Sequence, residues 1–182
     1  MWVWSGSHVA AEICAGSGFD WLLIDGEHGP NDTLTLLSQL QAIAAYPATH
    51  AIARIPMGHG EIGEMLIKQY LDIGVQTLLV PMVDTAEQAA QVAAAARYAP
   101  TGVRGMGSAL ARASRWQAHP RYVQEANAQI CCLVQAETVT AMQNLDAIPT
   151  TPGVDGVVIG PAVLGASMGH PGNPMHPDVQ AM

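Results

Sequence analysis

The sequence has little positive charge. Only 7 of its 182 residues are lysine or arginine, against 15 aspartates and glutamates, and the formal net charge is −8. Proteins that bind nucleic acid or an anionic membrane surface carry a basic patch or stripe. We therefore expect neither nucleic acid nor a membrane surface among the partners of this chain.

Cysteines and long apolar segments are also scarce. Cys14, Cys131 and Cys132 form an odd set without Cys-x-x-Cys spacing, which indicates neither a disulfide framework nor a structural zinc site. No apolar run approaches the roughly 18 residues that span a bilayer, and the first residues lack the basic leader of a secretion signal. The default expectation is a cytoplasmic protein.

Apolar residues, in contrast, are plentiful, at 49% hydrophobic against 12% charged. A chain of this length and composition can bury a full core, so residues 1–182 are expected to form a single domain. No internal repeat and no low-complexity segment divides it.

The only lysine bears on carbonyl chemistry. Lys68 lies in a helical pattern four residues after Glu64, where an ordinary surface ion pair is expected. A Schiff-base enzyme needs a desolvated lysine with a lowered pKa. This chain offers no good candidate for that role.

Strand and helix patterns alternate along the chain. Six strand patterns, each followed by a helix or the start of one, imply parallel pairing through right-handed crossovers. A doubly wound sheet and a barrel both satisfy this order. The predicted strands are 2–4, 21–25, 51–54, 77–80, 130–135 and 154–159, and the predicted helices are 9–15, 33–45, 61–71, 84–97, 121–127 and 138–145.

Polar residues fall at or just beyond the carboxyl ends of these strands. In a (β/α)8 barrel those ends converge on one pocket, whereas an open sheet brings together only those near its switch point. This favours an α/β fold of the TIM (β/α)8 barrel family. Because such a barrel has eight strands and about 250 residues, six β/α units predict an incomplete barrel. The polar residues are Asp25 to His28, Arg54, Asp84, Gln135, Glu137 and the pair Gly160-Pro161.

The stretch from Trp21 to His28, Trp-Leu-Leu-Ile-Asp-Gly-Glu-His, contains the first candidate site. Four apolar residues without alternation predict a strand buried on both faces, and ionisable groups follow in a turn at Gly26. We expect Asp25 to hold one ring nitrogen of His28 and leave the other facing a substrate. The alternative is a solvated loop in which Asp25 only caps a turn.

Four segments resemble the HpcH/HpaI aldolases, a family of class II pyruvate aldolases. They are GFDWLLIDGEH at 18–28, QTLLVPM at 76–82, RGMGSALARASRW at 104–116 and VVIGPA at 157–162. The resemblance implies a barrel assembled as a hexamer, which uses a divalent ion such as Mg²⁺, Mn²⁺ or Co²⁺ and acts on pyruvate and an aldehyde. It also implies that this chain is truncated, without a short N-terminal helix and without the C-terminal part of a member.

The resemblance assigns roles to individual residues. Retro-aldol cleavage of a 4-hydroxy-2-oxo acid leaves a pyruvate enolate and needs a base, an electrophile and an anchor for the carboxylate. His28, oriented by Asp25, matches the family's base. Arg54 matches the arginine that holds the pyruvate oxygens. Glu137 matches the first metal-ligating carboxylate, with Gln135 beside it. Without the resemblance, the arginine is a surface cation and the glutamate a charge at a helix start.

The second metal ligand departs from the family pattern. After Ile-Gly-Pro-Ala the family has an aspartate, and here that position is Val163. A hard divalent ion then loses one charged oxygen ligand, so weak metal binding is expected. The turn formed by Gly160, Pro161, Ala162 and Val163 remains a candidate for binding a substrate carboxylate, because that role uses backbone amides.

Two functions remain open at this point. One is an aldolase that cleaves or forms 4-hydroxy-2-oxo acids with low activity, favoured by the intact Asp25, His28, Arg54 and Glu137. The other is a non-catalytic relative that binds a small keto acid or serves only as an oligomer subunit, favoured by Val163. In either case an open barrel exposes apolar sheet edges, so we expect a homo-oligomer in which a second copy covers them.

The remaining basic residues have weaker signals. Arginines of the long loop either meet the carboxylate of an aldehyde, or contact a neighbouring subunit, or simply pack. Several histidines show no shared ligand spacing and are expected to be ordinary loop or surface residues. The arginines are Arg104, Arg112 and Arg115, and the histidines are His50, His59, His119, His170 and His176.

Overall fold

Six parallel strands form one sheet in the computed structural model, which describes residues 1–182. Each strand pairs with the next strand along the chain. This sequential order is that of a barrel wall, since a doubly wound sheet reverses its strand order at a switch point. The strands are β1 (Trp2–Val3), β2 (Trp21–Asp25), β3 (His50–Arg54), β4 (Thr77–Val80), β5 (Cys131–Ala136) and β6 (Gly156–Ile159).

Helices connect the strands and continue after the last one. Several begin at the side chains that favour a helix start: Asp32 forms a capping box with Thr35, and Thr85 and Thr138 each accept a hydrogen bond from the first turn. The helices are α1 (His8–Ala15), α2 (Thr33–Ile43), α3 (Gly60–Asp72), α4 (Ala86–Ala95), α5 (Tyr122–Gln129), α6 (Val139–Gln143), α7 (Pro161–Ser167) and α8 (Pro177–Ala181).

The core lies between the sheet and the helices that cover it. Leu22 and Ile24 of β2 and Leu78 and Val80 of β4 have no exposed surface. These strands carry the unbroken apolar runs expected where a parallel sheet is covered on both faces. In contrast, Ile159 at the end of β6 is exposed, so the sheet is less well covered at this edge.

The predicted elements agree with the structure in type and order, and α7 is an addition after β6. The bounds of β2 and β4 are those predicted. The segment after β6, interpreted as a turn, forms α7, which has Pro161 at its first position, where the missing N–H does no harm. Lys68 makes no ion pair with Glu64, contrary to expectation. No helix combines the length and apolar character needed to cross a membrane.

The parallel arrangement brings the carboxyl ends of all six strands to one rim of the sheet. The register pairs Asp25, the last residue of β2, with Arg54, the last residue of β3. Gln135 lies next to last in β5, and Glu137 follows the end of that strand. Gly160 follows β6 directly. We call this rim the mouth of the barrel.

Candidate active site

A buried ion pair joins β2 and β3 at the mouth. Arg54 Nε donates to Asp25 Oδ1 at 2.9 Å and Nη2 donates to Oδ2 at 2.8 Å. The two side chains are only 9% and 7% exposed. Such a two-point contact fixes the plane of the guanidinium, which a single ammonium group does not do.

The expected contact between Asp25 and the His28 ring is absent. Instead, Asp25 Oδ1 accepts hydrogen bonds from the backbone N–H groups of Glu27 at 3.1 Å and His28 at 3.2 Å. The imidazole is 67% exposed, and its Nε2 lies 3.7 Å from Glu27 Oε2. The prediction that Asp25 orients the ring directly is therefore wrong, because its carboxylate is taken up by Arg54 and the turn. Asp25 positions only the backbone of His28.

Glu27 is a site residue for which the sequence left two interpretations open, a charged active-site turn and a solvated loop. Its Oε2 lies 3.0 Å from Arg54 Nη1 and has no partner in hydrogen-bonding geometry. The guanidinium is thus flanked by two carboxylates. The ring of Trp2 covers it at 4.6 Å, a cation–π contact that nothing in the short β1 pattern predicted.

Gly26 holds this turn close to β3. Its N–H donates to the carbonyl oxygen of Arg54 at 2.9 Å. A Cβ at this position would lie 2.7 Å from that oxygen and would also overlap the hydroxyl of Tyr70. Burial, together with the charges of Asp25 and Asp32, raises the pKa of Tyr70 to about 12. The phenol therefore stays protonated beneath the turn, and only glycine fits above it.

Gln135 and Glu137 form the other half of the site. Residues two apart on an extended segment face the same way, and Gln135 Nε2 donates to Glu137 Oε2 at 2.7 Å. The backbone N–H of Met82 donates to Glu137 Oε1 at 2.9 Å. Met82 has a left-handed φ of 56°, unusual for a residue with a side chain. The turn after β4 thus aims an amide at the carboxylate.

Gly160 packs directly against this pair. A Cβ on Gly160 would lie 2.7 Å from Gln135 Nε2 and would overlap Glu137 Oε2. The glycine is the N-cap of α7, and no side chain caps the helix. Pro161, Ala162 and Val163 form the first turn of α7. Their backbone role in binding a carboxylate stays a prediction.

The ionisable groups of the mouth act on one another. Burial alone would raise the pKa of Asp25, but the hydrogen bonds from Arg54 and the His28 amide outweigh it and lower the pKa. Burial raises the pKa of Glu27 although Arg54 opposes the shift. Burial also raises the pKa of Glu137, and the Glu27 charge adds to this effect. Three carboxylates share one guanidinium, so the site has an excess of negative charge.

The donor set fits a divalent cation in part. Two oxygens suited to a hard ion are buried here: the Glu137 carboxylate, and Gln135 Oε1, which has no hydrogen-bond partner. Mg²⁺ and Mn²⁺ prefer such ligands. Val163 contributes no oxygen. The site therefore offers one carboxylate and one amide oxygen in place of a carboxylate pair.

The arginines of the long loop do not reach the mouth. Arg104 is buried and pairs with Asp72 at 2.6 Å, and Arg112 donates to the carbonyl oxygen of Ile73 at 2.8 Å. With Arg115 they line a cavity of about 120 Å³ beside the amino ends of β4 and β5. Within this chain they cannot meet a substrate bound at the carboxyl ends.

Comparison with known proteins agrees with this geometry. The HpcH/HpaI aldolase/citrate lyase family model matches residues 1–182. A 4-hydroxy-2-oxovalerate aldolase of Rhodococcus jostii is 56% identical over 180 residues, which is 99% of this chain and 67% of that protein. A 4-hydroxy-2-oxo-heptane-1,7-dioate aldolase of Escherichia coli is also 56% identical, over 100% of this chain and 67% of its own length.

A solved structure gives the same result for the fold. An HpcH/HpaI aldolase/citrate lyase family protein from Burkholderia cenocepacia superposes with a TM-score of 0.94 at 39% identity, covering 100% of this chain and 70% of that one. This confirms the barrel class and the resemblance inferred from the four segments. The chain spans about two thirds of the length of the relatives it matches. The chain belongs to the HpcH/HpaI aldolase/citrate lyase family.

Proposed function

We propose that the chain is a carbon–carbon lyase, an aldolase that cleaves 4-hydroxy-2-oxo acids to pyruvate and an aldehyde or forms them. The observation that supports this proposal is a pair of buried groups at the mouth: Arg54 fixed between Asp25 and Glu27, and Gln135 hydrogen-bonded to Glu137. The charges of Arg54 and Glu27 both act on the pKa of Glu137. The relatives named above are aldolases for 4-hydroxy-2-oxo acids. These relatives are longer than this chain, so its own activity is the point to be tested.

Arg54 is the group we assign to the keto acid. Retro-aldol cleavage develops negative charge on the oxygen of the pyruvate enolate, and a fixed cation lowers the barrier because it need not reorganise. Asp25 and Glu27 hold the guanidinium in one orientation. The first turn of α7 would receive the substrate carboxylate through the N–H groups of Ala162 and Val163, because Pro161 has no N–H and the Gly160 N–H donates to the Ala136 carbonyl oxygen at 3.1 Å.

His28 is the group we assign to proton transfer. Its imidazole is solvent-exposed next to Glu27, so it can exchange protons with water and face a substrate that enters the mouth. In this role it takes the proton from the 4-hydroxyl during cleavage. Glu27, rather than Asp25, is then the carboxylate near the ring.

Glu137 and Gln135 are the residues that would hold a divalent ion. When bound, such an ion supplies Lewis-acid polarisation of the keto group. The Glu137 carboxylate would be its charged ligand and Gln135 Oε1 a neutral one. We propose weak binding, because the first turn of α7 has Val163 where a second carboxylate is expected.

A second candidate function rests on that same valine. With only one carboxylate for the ion, the chain would bind a small keto acid at Arg54 without turning it over. The two functions differ in a measurable way, since both predict pyruvate binding and only the first predicts pyruvate release.

The test is a pyruvate-release assay on a 4-hydroxy-2-oxo acid with added Mn²⁺ or Co²⁺. We expect slow turnover by the wild type and a gain on the order of 100-fold for Val163→Asp, equivalent to about 2.7 kcal/mol of barrier. Val163→Asn is the matched control, because it has the same size without the charge. No release by either the wild type or Val163→Asp would contradict the aldolase assignment. Metal-independent turnover would contradict the role of Glu137.

We also propose that the chain self-associates. The sheet has two edges, at β1 and β6, and apolar side chains near them are exposed, including Trp2, Trp4 and Ile159. Unpaired edges and apolar patches are usually covered by another chain. Analytical ultracentrifugation should show a dimer or a larger assembly. A monomer at all concentrations would contradict this proposal.

A further inference from the structure

A second cluster of ligating side chains lies beyond α7, away from the mouth. It consists of His170, His176 and Asp178, each of which offers one ligand atom within 4.8 Å of the other two. His170 Nε2 lies 3.5 Å from Asp178 Oδ2, and His176 Nδ1 lies 3.7 Å from the same oxygen. We call these three residues the His-His-Asp cluster.

The spacing of these atoms suits a tetrahedral ion. Zinc binds nitrogen and carboxylate oxygen at roughly 2.0–2.2 Å, so two ligands on one tetrahedron are about 3.4 Å apart. The two distances to Asp178 Oδ2 exceed this value only slightly. Imidazole lone pairs lie in the ring plane, so the stacked rings would have to turn apart until both nitrogens face one point, and water would complete the coordination.

The two imidazoles of the cluster lie face to face. Their rings stack with centroids 3.6 Å apart and planes 12° apart. His176 Nδ1 accepts a weak hydrogen bond from the Asp178 N–H at 3.3 Å. This nitrogen would give up that bond on binding an ion, because it has a single lone pair.

The backbone holds the cluster together before any ion binds. The N–H of His170 donates to the Gly165 carbonyl oxygen in α7 at 2.7 Å, and the carbonyl oxygen of His170 accepts from the Asn173 N–H at 3.1 Å. The N–H of His176 donates to the Asn173 carbonyl oxygen, also at 3.1 Å. Proline restricts the backbone further. The prolines of this segment are Pro171, Pro174 and Pro177.

We propose that the His-His-Asp cluster is a binding site for a transition-metal ion of the zinc type, separate from the site at the mouth. Imidazole nitrogen selects zinc, nickel or copper over magnesium. The site is distinct because α7 begins at Pro161, directly after the Gly160 that packs against Glu137, and runs for 7 residues, roughly 10 Å, before the segment with the cluster starts.

The ion would attach α8 to the end of α7. With 5 residues, α8 is too short to be stable by itself. Its first residues carry Asp178, and the preceding turn carries both histidines. Binding energy would therefore appear as resistance of this segment to local unfolding.

The sequence pattern His-x5-His-x-Asp did not indicate a metal site. The structure changes the expectation that His170 and His176 are ordinary surface residues. Linear spacing alone did not show that the turn between them reverses the chain. His50, His59 and His119 do not belong to this cluster, and their assignment as ordinary loop or surface residues stays a prediction.

The test is calorimetric titration of the whole chain with zinc chloride, supported by the visible spectrum after cobalt is substituted. We expect one ion per chain at this site. His170→Gln and His176→Asn should each weaken binding by more than about 10-fold, the loss seen even for an outer partner of a metal. His176→Asn is chosen because asparagine also caps a helix start, so α8 keeps its cap.

Two control variants make the result decisive. His119→Gln removes a half-exposed histidine that also faces a carboxylate, Glu125 at 3.2 Å, and should leave the zinc affinity unchanged. Glu137→Gln removes the carboxylate of the mouth, so it should abolish only the weak binding that the mouth contributes and leave the zinc affinity of the His-His-Asp cluster unchanged. The proposal is wrong if the wild type shows no saturable binding, or if His170→Gln binds zinc as the wild type does. Loss of zinc binding in either control would contradict it too.

Discussion

Two buried arginines of this chain have opposite surroundings. At the mouth, all three nitrogens of Arg54 face carboxylates, and a third carboxylate lies close enough to feel its charge. At the other end of the sheet, Arg104 has no exposed side-chain surface, pairs with Asp72 alone and lies over the ring of Tyr98 at 4.4 Å. Burial and pairing are common to both.

The balance of charge is what differs. Arg104 and Asp72 neutralise each other, and aromatic rings fill the rest of the space, as is typical of an internal support. Atoms without hydrogen-bond partners occur at both sites: Glu27 Oε2 and Gln135 Oε1 at the mouth, and Arg104 Nε and Nη1 at the other end. What separates the two sites is the excess of carboxylates at the mouth, where three of them share one cation. Such an excess costs stability unless a ligand or an ion offsets it. The comparison thus assigns function to the first arginine and stability to the second.

Arg54→Lys tests the functional role of the first arginine and should have the largest effect on activity. Lysine keeps the charge but cannot hold Asp25 through two bonds or fix a plane for the keto acid. We expect kcat/KM for pyruvate release to fall about 10²–10³-fold, as when an oxyanion donor is removed, measured in the Val163→Asp background. Arg104→Lys, the same change away from the mouth, should leave kcat/KM nearly unchanged. Equal losses in both variants would contradict the distinction.

Arg104→Met should show the converse effect, on stability. It leaves Asp72 without its partner and removes the donor to Tyr122, which lies 3.2 Å away. We expect the free energy of unfolding in urea to fall by about 2–3 kcal/mol. The control is Arg121→Met, which removes an exposed pair with Glu125 and should cost about 0.5 kcal/mol or less. Similar effects for the two would argue against a structural role of Arg104.

Gly160→Ala tests whether activity depends on the exact positions of Gln135 and Glu137. The added methyl group would displace the Gln135 amide and the Glu137 carboxylate, and a shift of about 1 Å in an active site lowers the rate by up to about 100-fold. Gly105→Ala is the control, since its methyl group meets only the flexible Lys68 chain, at 3.3 Å from Cδ. The assay is kcat/KM in the Val163→Asp background, and no change for Gly160→Ala would count against the position of Glu137.

Glu137→Gln should change the stability of the fold in a way that depends on pH. Burial raises the pKa of Glu137 above its ordinary value of 4.5. The folded state therefore disfavours the ionised carboxylate, which lowers the free energy of unfolding above that pH, whereas below it the carboxyl is protonated in both states and the loss of stability disappears. At neutral pH the variant should melt about 2 °C or more above the wild type, roughly 1 kcal/mol for a domain of this size. The difference should vanish near pH 4. A lower melting temperature at neutral pH would contradict it.

The strand pattern allowed the location of the mouth to be predicted, but not which of its side chains pair with one another. Unbroken apolar runs predicted both ends of β2 and β4, and the polar residues at strand ends indicated where a site would lie. The partner of Asp25 is Arg54, 29 positions further along the chain. That pairing depends on the register of β2 and β3, which no local pattern specifies, so the nearby His28 was chosen instead.

Other residues were missed for the same reason. The contact of Trp2 with Arg54 comes from the pairing of β1 with β2, which a strand of two residues hardly indicates. Burial of Arg104 depends on the folding of the long loop beneath α3 and α5. Glu27 did have a signal, since it stands between Gly26 and His28 in the turn, but the sequence alone did not decide between an active-site turn and a solvated loop.

The central claim is that Arg54 and Glu137 serve one bound keto acid. The most direct measurement is calorimetric titration of the chain with pyruvate in the presence of Mn²⁺. We expect saturable binding by the wild type and by Arg104→Lys, and loss of binding in both Arg54→Lys and Glu137→Gln. If pyruvate binds equally well to all four proteins, the mouth of the barrel is not the site.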